Sequence, residues 1–239
     1  MTARHCDIAI LGGGLAGGLV ALALRRARPD LALLVIEQGA SLGGNHVWSF
    51  FGSDVGKAGR ELLDGLTVAA WPEYTVRFPS FQRRLKTSYY SITSERFDAV
   101  LRAELDAASV LTGLRALACS TTNVTLSDGT RVEAGAVIDA RGIRNLGHLT
   151  GGWQKFVGQR LRLAKPHGLD TPLVKDATVE QHDGYRFIYC LPFSPNEIFI
   201  EDTYYSDSAA LDVPTLTARI ADYAKVRGWQ IVEVLTEEH

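Results

Sequence analysis

The sequence predicts an α/β protein with a nucleotide-binding half on a parallel sheet and a second, mostly antiparallel half. Three observations predict it. Asp7 to Leu11 reads as a buried strand and runs directly into Gly12-Gly13-Gly14-Leu15-Ala16-Gly17, which fits G-x-G-x-x-G. An apolar helix from Leu15 to Arg28 follows, closed by Pro29, and then a second buried strand from Leu31 to Ile36 that ends in Glu37, twenty residues after the last glycine. Beyond residue 150, strand-like segments recur around 156–164, 172–179, 185–191 and 197–204 with no intervening helix. The glycine pattern alone is weak, but strand, glycine turn, helix, strand and acid in this order form a specific dinucleotide fingerprint.

Each residue type in that fingerprint has a physical task. Gly12 permits the tight turn off the strand, Gly14 lets the backbone approach a pyrophosphate, and Gly17 lets the helix pack close to the strand. Free N–H groups and the positive dipole end at the helix start attract phosphate. Glu37 would accept hydrogen bonds from a ribose diol and repel a 2′-phosphate, so the pattern suits FAD or NAD better than NADP.

The later elements follow from composition. After Glu37 comes a glycine-rich loop through Trp48. Lys57 to Leu66 predicts a short helix, and Tyr74 to Phe78 and Leu85 to Ile92 predict strands by alternation and aromatic content. Thr93 or Ser94 caps a helix to about Ala108, with Phe97, Val100, Leu101 and Leu105 on one face. Asn123 to Leu126 and Thr130 to Val132 flank Ser127-Asp128-Gly129 as a hairpin. Ala136 to Asp139 is a buried strand that adds to the nucleotide sheet. Asp212 and Pro214 start a helix to about Arg227, and Trp229 to Leu235 starts another strand. The expected division is 1–75 and 110–150 for the nucleotide-binding domain, and 76–109 and 151–239 for the substrate domain. Nothing after residue 212 looks long enough to return to the first domain, so the chain reads as truncated at its C-terminal end.

The 239 residues are 46% hydrophobic and 22% charged, with a net charge of −2. That is ordinary for a globular protein, and without a concentrated basic face no nucleic-acid partner is expected. Cys6, Cys119 and Cys190 are far apart and read as reduced core thiols in the cytoplasm. The histidines show no zinc spacing, so no metal is expected. No uninterrupted apolar stretch reaches the ~18 residues of a membrane span.

Several constellations could carry chemistry. Glu201 and Asp202 are adjacent in a strand and so face opposite sides. One of them can lie in apolar surroundings, where burial keeps a carboxylic acid protonated and able to donate; a solvated strand end accounts for the pair equally well. Gly39-Ala40-Ser41-Leu42-Gly43 matches a nucleophile elbow, but no helix follows it, which argues against a hydrolase. His46 either hydrogen-bonds a cofactor or orders its loop. Asp139-Ala140-Arg141-Gly142 ends a buried strand, where open α/β sheets place ligands. The segment Arg77 to Lys86 mixes cations and aromatics, which fits an anionic membrane surface or, more simply, a solvated loop.

Together, the glycine turn, Gly43-Gly44-Asn45-His46-Val47-Trp48-Ser49-Phe50, Val137 to Gly142, Asp176-Ala177-Thr178-Val179, Gly184-Tyr185-Arg186-Phe187 and Ile200-Glu201-Asp202-Thr203 resemble bacterial lycopene β-cyclases over essentially the whole chain. Plant relatives carry F-L-E-E-T, to which Phe199 to Thr203 is similar. The resemblance implies a glutathione-reductase-type FAD fold with an inserted, mostly antiparallel substrate domain, incomplete here because family members are longer. It implies reduced FAD as cofactor, NAD(P)H as reductant, and lycopene, dissolved in a membrane, as substrate. The enzyme would sit on the inner face of that membrane and form γ-carotene and β-carotene. Gly44, Asn45, His46, Asp139, Arg141 and Gly142 would join Gly12, Gly14, Gly17 and Glu37 at the cofactor. Glu201 would be the acid, with Asp202 assisting or ordering the site. A related FAD oxidoreductase or monooxygenase, or an inactive fragment, are the competing expectations.

Overall fold

The computed structural model describes residues 3–142, 147, 150–182 and 184–239. Its strands in chain order are β1 (Ala3–Leu11), β2 (Leu33–Ile36), β3 (Val47–Phe51), β4 (Ala69–Trp71), β5 (Tyr74–Phe78), β6 (Phe81–Leu85), β7 (Tyr89–Thr93), β8 (Val110–Leu111), β9 (Ala116–Cys119), β10 (Asn123–Leu126), β11 (Arg131–Asp139), β12 (Trp153–Leu163), β13 (Leu173–Asp176), β14 (Arg186–Ser194), β15 (Glu197–Ser206) and β16 (Ile231–Glu238). Among the described residues four α-helices accompany them: α1 (Leu15–Ala27), α2 (Lys57–Leu63), α3 (Ser94–Glu104) and α4 (Val213–Val226). The chain forms two compact units, one of residues 1–48, 55–68 and 92–147, the other of 49–54, 69–91 and 148–239.

The first unit holds a six-stranded sheet of order β8-β2-β1-β11-β10-β9. Its β8, β2, β1 and β11 run parallel and β10 and β9 antiparallel. Short apolar runs give the buried end of β1 and the whole of β2, whereas β11, expected to be buried over 136–139, is exposed or half-buried there. Ala9, Leu11, Leu34 and Ile36 form a core with Val124, Leu126 and Val132. A Cβ on Gly17 would run into the Gly12 carbonyl oxygen, and one on Gly18 into the Phe97 ring. Small residues on α1 therefore let it approach both β1 and α3.

The second unit is built on a seven-stranded sheet of order β16-β12-β15-β14-β13-β5-β6. All its pairings are antiparallel except β13 with β5. α4 places Leu216, Ile220, Tyr223 and Ala224 at helical spacing against Val157, Ile188, Cys190, Ile198 and Ile200. Full burial of each large aliphatic side chain here contributes about 1.5–3 kcal/mol. A smaller sheet has the order β3-β7-β4.

The structure corrects several expectations. Residues 92–109 belong to the first unit, because Phe97 and Leu101 of α3 pack at Gly18 of α1. Residues 49–54 and 69–75 belong to the second. The strand expected over 85–92 is two strands, β6 and β7, in different sheets, and β3 and β4 lie in stretches that carried no strand signal. The thiols are not all core: Cys190 is buried, Cys6 half-buried and Cys119 exposed. The basic, aromatic segment 77–86 is the β5–β6 hairpin at the sheet edge, where Phe81 is 54% exposed and Arg84 grips Asp170. Among the described residues no helix is long and apolar enough to cross a membrane.

Candidate functional site

In the first unit a groove of about 300 Å³ opens at the carboxyl ends of β1 and β2. It is lined by Gly12, Gly14, Glu37, Gly44, His46 and Arg141, all expected at a cofactor, and also by Ile36, Gln38, Gly43, Leu114, Arg115, Ala116 and Ala140. Gly12 has φ +95°, a backbone conformation that suits glycine. Gly14 is the N-cap of α1 and makes no side-chain cap, and a Cβ there would meet nothing within 4 Å. The space that a side chain at the helix start would fill is therefore open.

Glu37 is already engaged with the backbone. Gly13 N–H donates to its Oε2 at 2.7 Å and Gly39 N–H to its Oε1 at 2.7 Å. Each carboxylate oxygen keeps further lone-pair capacity, so the acid both braces the glycine turn and faces the groove. The loop after β8 is zipped to the same segment, with Gly113 N–H on Gly39 O at 2.8 Å and Leu114 N–H on Glu37 O at 3.1 Å. This brings Arg115 to the groove, a residue that no local motif marks.

The other expected cofactor residues divide. Gly17, Asn45, Asp139 and Gly142 are not among the groove-lining residues. Gly17 acts through helix packing. Asp139 holds Arg141 through bonds to Nε at 2.8 Å and Nη2 at 2.6 Å, while Arg141 Nη1 donates to Ala116 O at 2.9 Å. The Asp139 hydrogen bonds and charge, opposed by desolvation and aided by Cys119, raise the Arg141 pKa. His46 packs against Trp48 with ring centroids 5.7 Å apart, and Trp48 packs edge-on against Phe97 at 5.3 Å. Its carbonyl accepts from Ser94 N–H at the head of α3. His46 thus orders its loop and lines the groove at once.

The two acids of β15 have different surroundings. Asp202 is fully buried on the α4 side of the sheet and takes a bidentate grip from Arg186, Nε to Oδ1 and Nη2 to Oδ2, both at 2.7 Å. Glu201 faces the other side, accepts a hydrogen bond from the Thr203 hydroxyl, and sits directly across the ladder from Tyr189 and Gly158. Desolvation by burial, aided by the Asp202 charge and opposed by the Thr203 bond, pushes the Glu201 carboxyl up to about 7. The residue is still partly exposed to solvent. Such a group holds its proton near neutrality and can act as a proton donor.

A polar and aromatic cluster that sequence reasoning missed shares this face. The Tyr89 and Tyr189 hydroxyls lie 2.7 Å apart, and the Ser49 and Ser91 hydroxyls 2.7 Å apart. Burial raises both phenol pKa values, and the Glu201 charge adds to each rise. Behind the sheet a second network centres on Asp176, which is fully buried. It accepts from Tyr223 Oη at 2.8 Å, Arg227 Nη2 at 2.7 Å and Arg77 Nη1 at 3.3 Å. Burial pushes the Asp176 carboxyl up, but the Thr178 and Tyr223 hydroxyls, the Thr178 N–H and Arg77 outweigh it and the net shift is downward. Among the described residues no cluster of His, Cys, Asp and Glu is arranged to hold a metal.

Fold and groove together define an α/β protein of the Rossmann-type nucleotide-binding class that carries a second, mostly antiparallel unit. The chain belongs to the lycopene cyclase family, since residues 7–239 match the family model described as lycopene cyclase protein. It is 42% identical over 234 residues to a lycopene beta-cyclase of Pantoea ananas, covering 98% of this chain and 61% of that protein. It is 47% identical to one of a Paracoccus species, covering 97% and 59%. The chain therefore spans about 60% of the length of these relatives.

Solved structures share the fold at low identity. A geranylgeranyl bacteriochlorophyll reductase-like protein of Thermoplasma acidophilum superposes with a TM-score of 0.67 at 14% identity, covering 99% of this chain and 66% of that one. A p-nitrophenol 4-monooxygenase of Pseudomonas putida gives 0.68 at 14%, covering 100% and 67%.

Proposed function

We propose that the protein acts as a lycopene β-cyclase that closes the ψ-ends of lycopene into β-rings, giving γ-carotene and then β-carotene with no net redox change. The observation that carries this reading is Glu201, a carboxylic acid held near half-protonation at neutral pH on a sheet face lined by aromatic rings, in a chain of the lycopene cyclase family.

FAD is the proposed cofactor, and the residues present fit it. Gly14 leaves room for a pyrophosphate, the α1 N-terminus and Arg141 offer donors and positive charge, and Glu37 can take a ribose diol. When bound and reduced by NAD(P)H, FAD would supply an electron-rich ring. The location that goes with this chemistry is the cytoplasmic face of a lycopene-bearing membrane.

The bond changes balance within the substrate and Glu201. Glu201 gives its proton to the terminal C=C, whose electron pair becomes the new C–H bond and leaves a tertiary cation. A neighbouring C=C supplies the pair for the ring-closing C–C bond, which moves the cation into the ring. Loss of an adjacent ring proton to the Glu201 carboxylate restores both the acid and a double bond. Thr203 holds the carboxyl in place, and Arg186 with Asp202 anchors the strand from its opposite side.

Expression in a lycopene-accumulating bacterium tests the reading: a shift from red to orange is expected, and is expected to vanish with Glu201→Gln while bound flavin persists. A colourless, aggregated product with no shift would overturn it. Turnover only with oxygen and net electron consumption would instead favour a flavin oxidoreductase.

A further inference from the structure

We propose that the aromatic ring of Tyr189 is a catalytic cation-stabilising group, placed beside Glu201 so that the positive charge created by protonation forms against its π-electrons. The inference rests on the cyclisation reading and adds to it a residue and a role.

Sheet register supplies the placement. Tyr189 and Glu201 are direct partners on β14 and β15, so their side chains leave the same face. No ladder irregularity falls between them, and the only register shift in this pairing is at Pro192/Ser194. On the other strand beside Glu201, Gly158 carries no side chain and the Phe199 ring lies over it, so the aromatic lining continues across that flank. The Glu201 charge is felt at the Tyr189 phenol.

Neighbouring rings hold Tyr189 in a defined pose. Tyr89 meets it edge-on with centroids 6.3 Å apart and an interplanar angle of 85°, and Phe199 meets it at 6.4 Å and 79°. A cation within about 6 Å of such a ring gains most where water is excluded.

The hydroxyls carry a second, independent argument. A tertiary cation is captured by any free oxygen nucleophile in reach. The phenols of Tyr189 and Tyr89 are turned on each other at 2.7 Å, and burial raises the pKa of each, so neither is a phenolate at neutral pH. The face beside the acid thus offers electron density from rings and no phenolate beside them.

The test replaces Tyr189 by Phe and then by mono-, di- and trifluorinated phenylalanines of nearly the same shape. Cyclisation of lycopene in phospholipid vesicles is followed anaerobically with dithionite-reduced FAD. The expected result is a stepwise fall in kcat as fluorine withdraws ring electron density, about tenfold or more across the series, with KM and thermal midpoint little changed. A flat series in a protein that cyclises lycopene overturns this inference and leaves the cyclase reading standing, even if Tyr189→Leu is inactive, because that pattern marks a packing role. An unmodified protein that cyclises nothing overturns the cyclase reading and this inference with it.

Discussion

Glu201 and Asp202 are consecutive on β15, yet one carboxyl faces Tyr189 on one side of the sheet and the other is clasped by Arg186 on the opposite side. Strand alternation separates them, and the separation gives two identical functional groups opposite physical tasks. Among the described residues Glu201 has no cation partner, and burial drives it toward the neutral acid. Asp202 has its guanidinium at 2.7 Å on both oxygens and is part of a buried ion pair.

Cyclisation should depend on protonated Glu201. With the carboxyl at about 7, kcat is expected to be flat at lower pH and to fall about tenfold per pH unit above that value. Glu201→Gln should lower kcat by at least the 10²–10⁴-fold typical of a general acid, roughly. A pH–rate profile with no descending limb near neutrality would remove Glu201 from the role.

The same shift carries a stability sign. The folded protein holds a Glu201 proton that the unfolded chain releases at lower pH. Stability from this group is therefore full below the ordinary glutamate value and is lost as pH rises toward about 7. Denaturant titrations across that window should show Glu201→Gln losing less stability with rising pH than the unmodified protein.

Breaking the Arg186–Asp202 pair should be costly. Asp202→Asn or Arg186→Met leaves an uncompensated buried charge or donor, an effect of about 3–5 kcal/mol. The double variant should be less destabilised than the sum of the two singles, because no charge is then stranded. Additive losses in urea titrations would contradict the coupling.

The glycines of the turn should separate cofactor from fold. Gly14 has φ −69° and open space in front of its Cβ position, so Gly14→Val should keep the thermal midpoint within a few degrees and abolish flavin absorbance at saturating FAD. Gly17→Val drives its Cβ into the Gly12 carbonyl and should destabilise the unit by several kcal/mol, roughly. Full flavin content in Gly14→Val would show that the pyrophosphate lies elsewhere.

Asp176 should make the second unit acid-sensitive. Its carboxyl sits below the ordinary value, so its stabilisation is present above the unfolded value and is lost as pH falls through the folded one. Asp176→Asn strands Arg77 and Arg227, with an expected loss of about 3 kcal/mol, and should flatten the acid limb of the stability curve.

Much of this was legible residue by residue. The glycine turn, the Thr93 N-cap that accepts from Arg96 N–H, the Asp212 N-cap that accepts from Thr215 N–H, and the hairpin from 123 to 132 all rest on neighbours close in sequence. The groove residues Gly12, Gly14, Glu37, Gly44, His46 and Arg141 were legible for the same reason. Arg115 was not, since a backbone zipper to residues 37–39 brings it there.

By itself the sequence determined the α/β class, the nucleotide fingerprint, the family resemblance and the opposed directions of Glu201 and Asp202, because each follows from short-range steric and hydrogen-bonding rules. Tertiary structure alone decided which unit owns α3, that Asp202 belongs to Arg186, that Asp176 gathers Arg77, Tyr223 and Arg227, and that Tyr89 meets Tyr189 beside the acid. Tyr89 and Tyr189 are 100 residues apart and Arg77 and Asp176 are 99 apart. Strand order and register bring such partners together, and no local pattern in the chain encodes which distant strand will lie alongside.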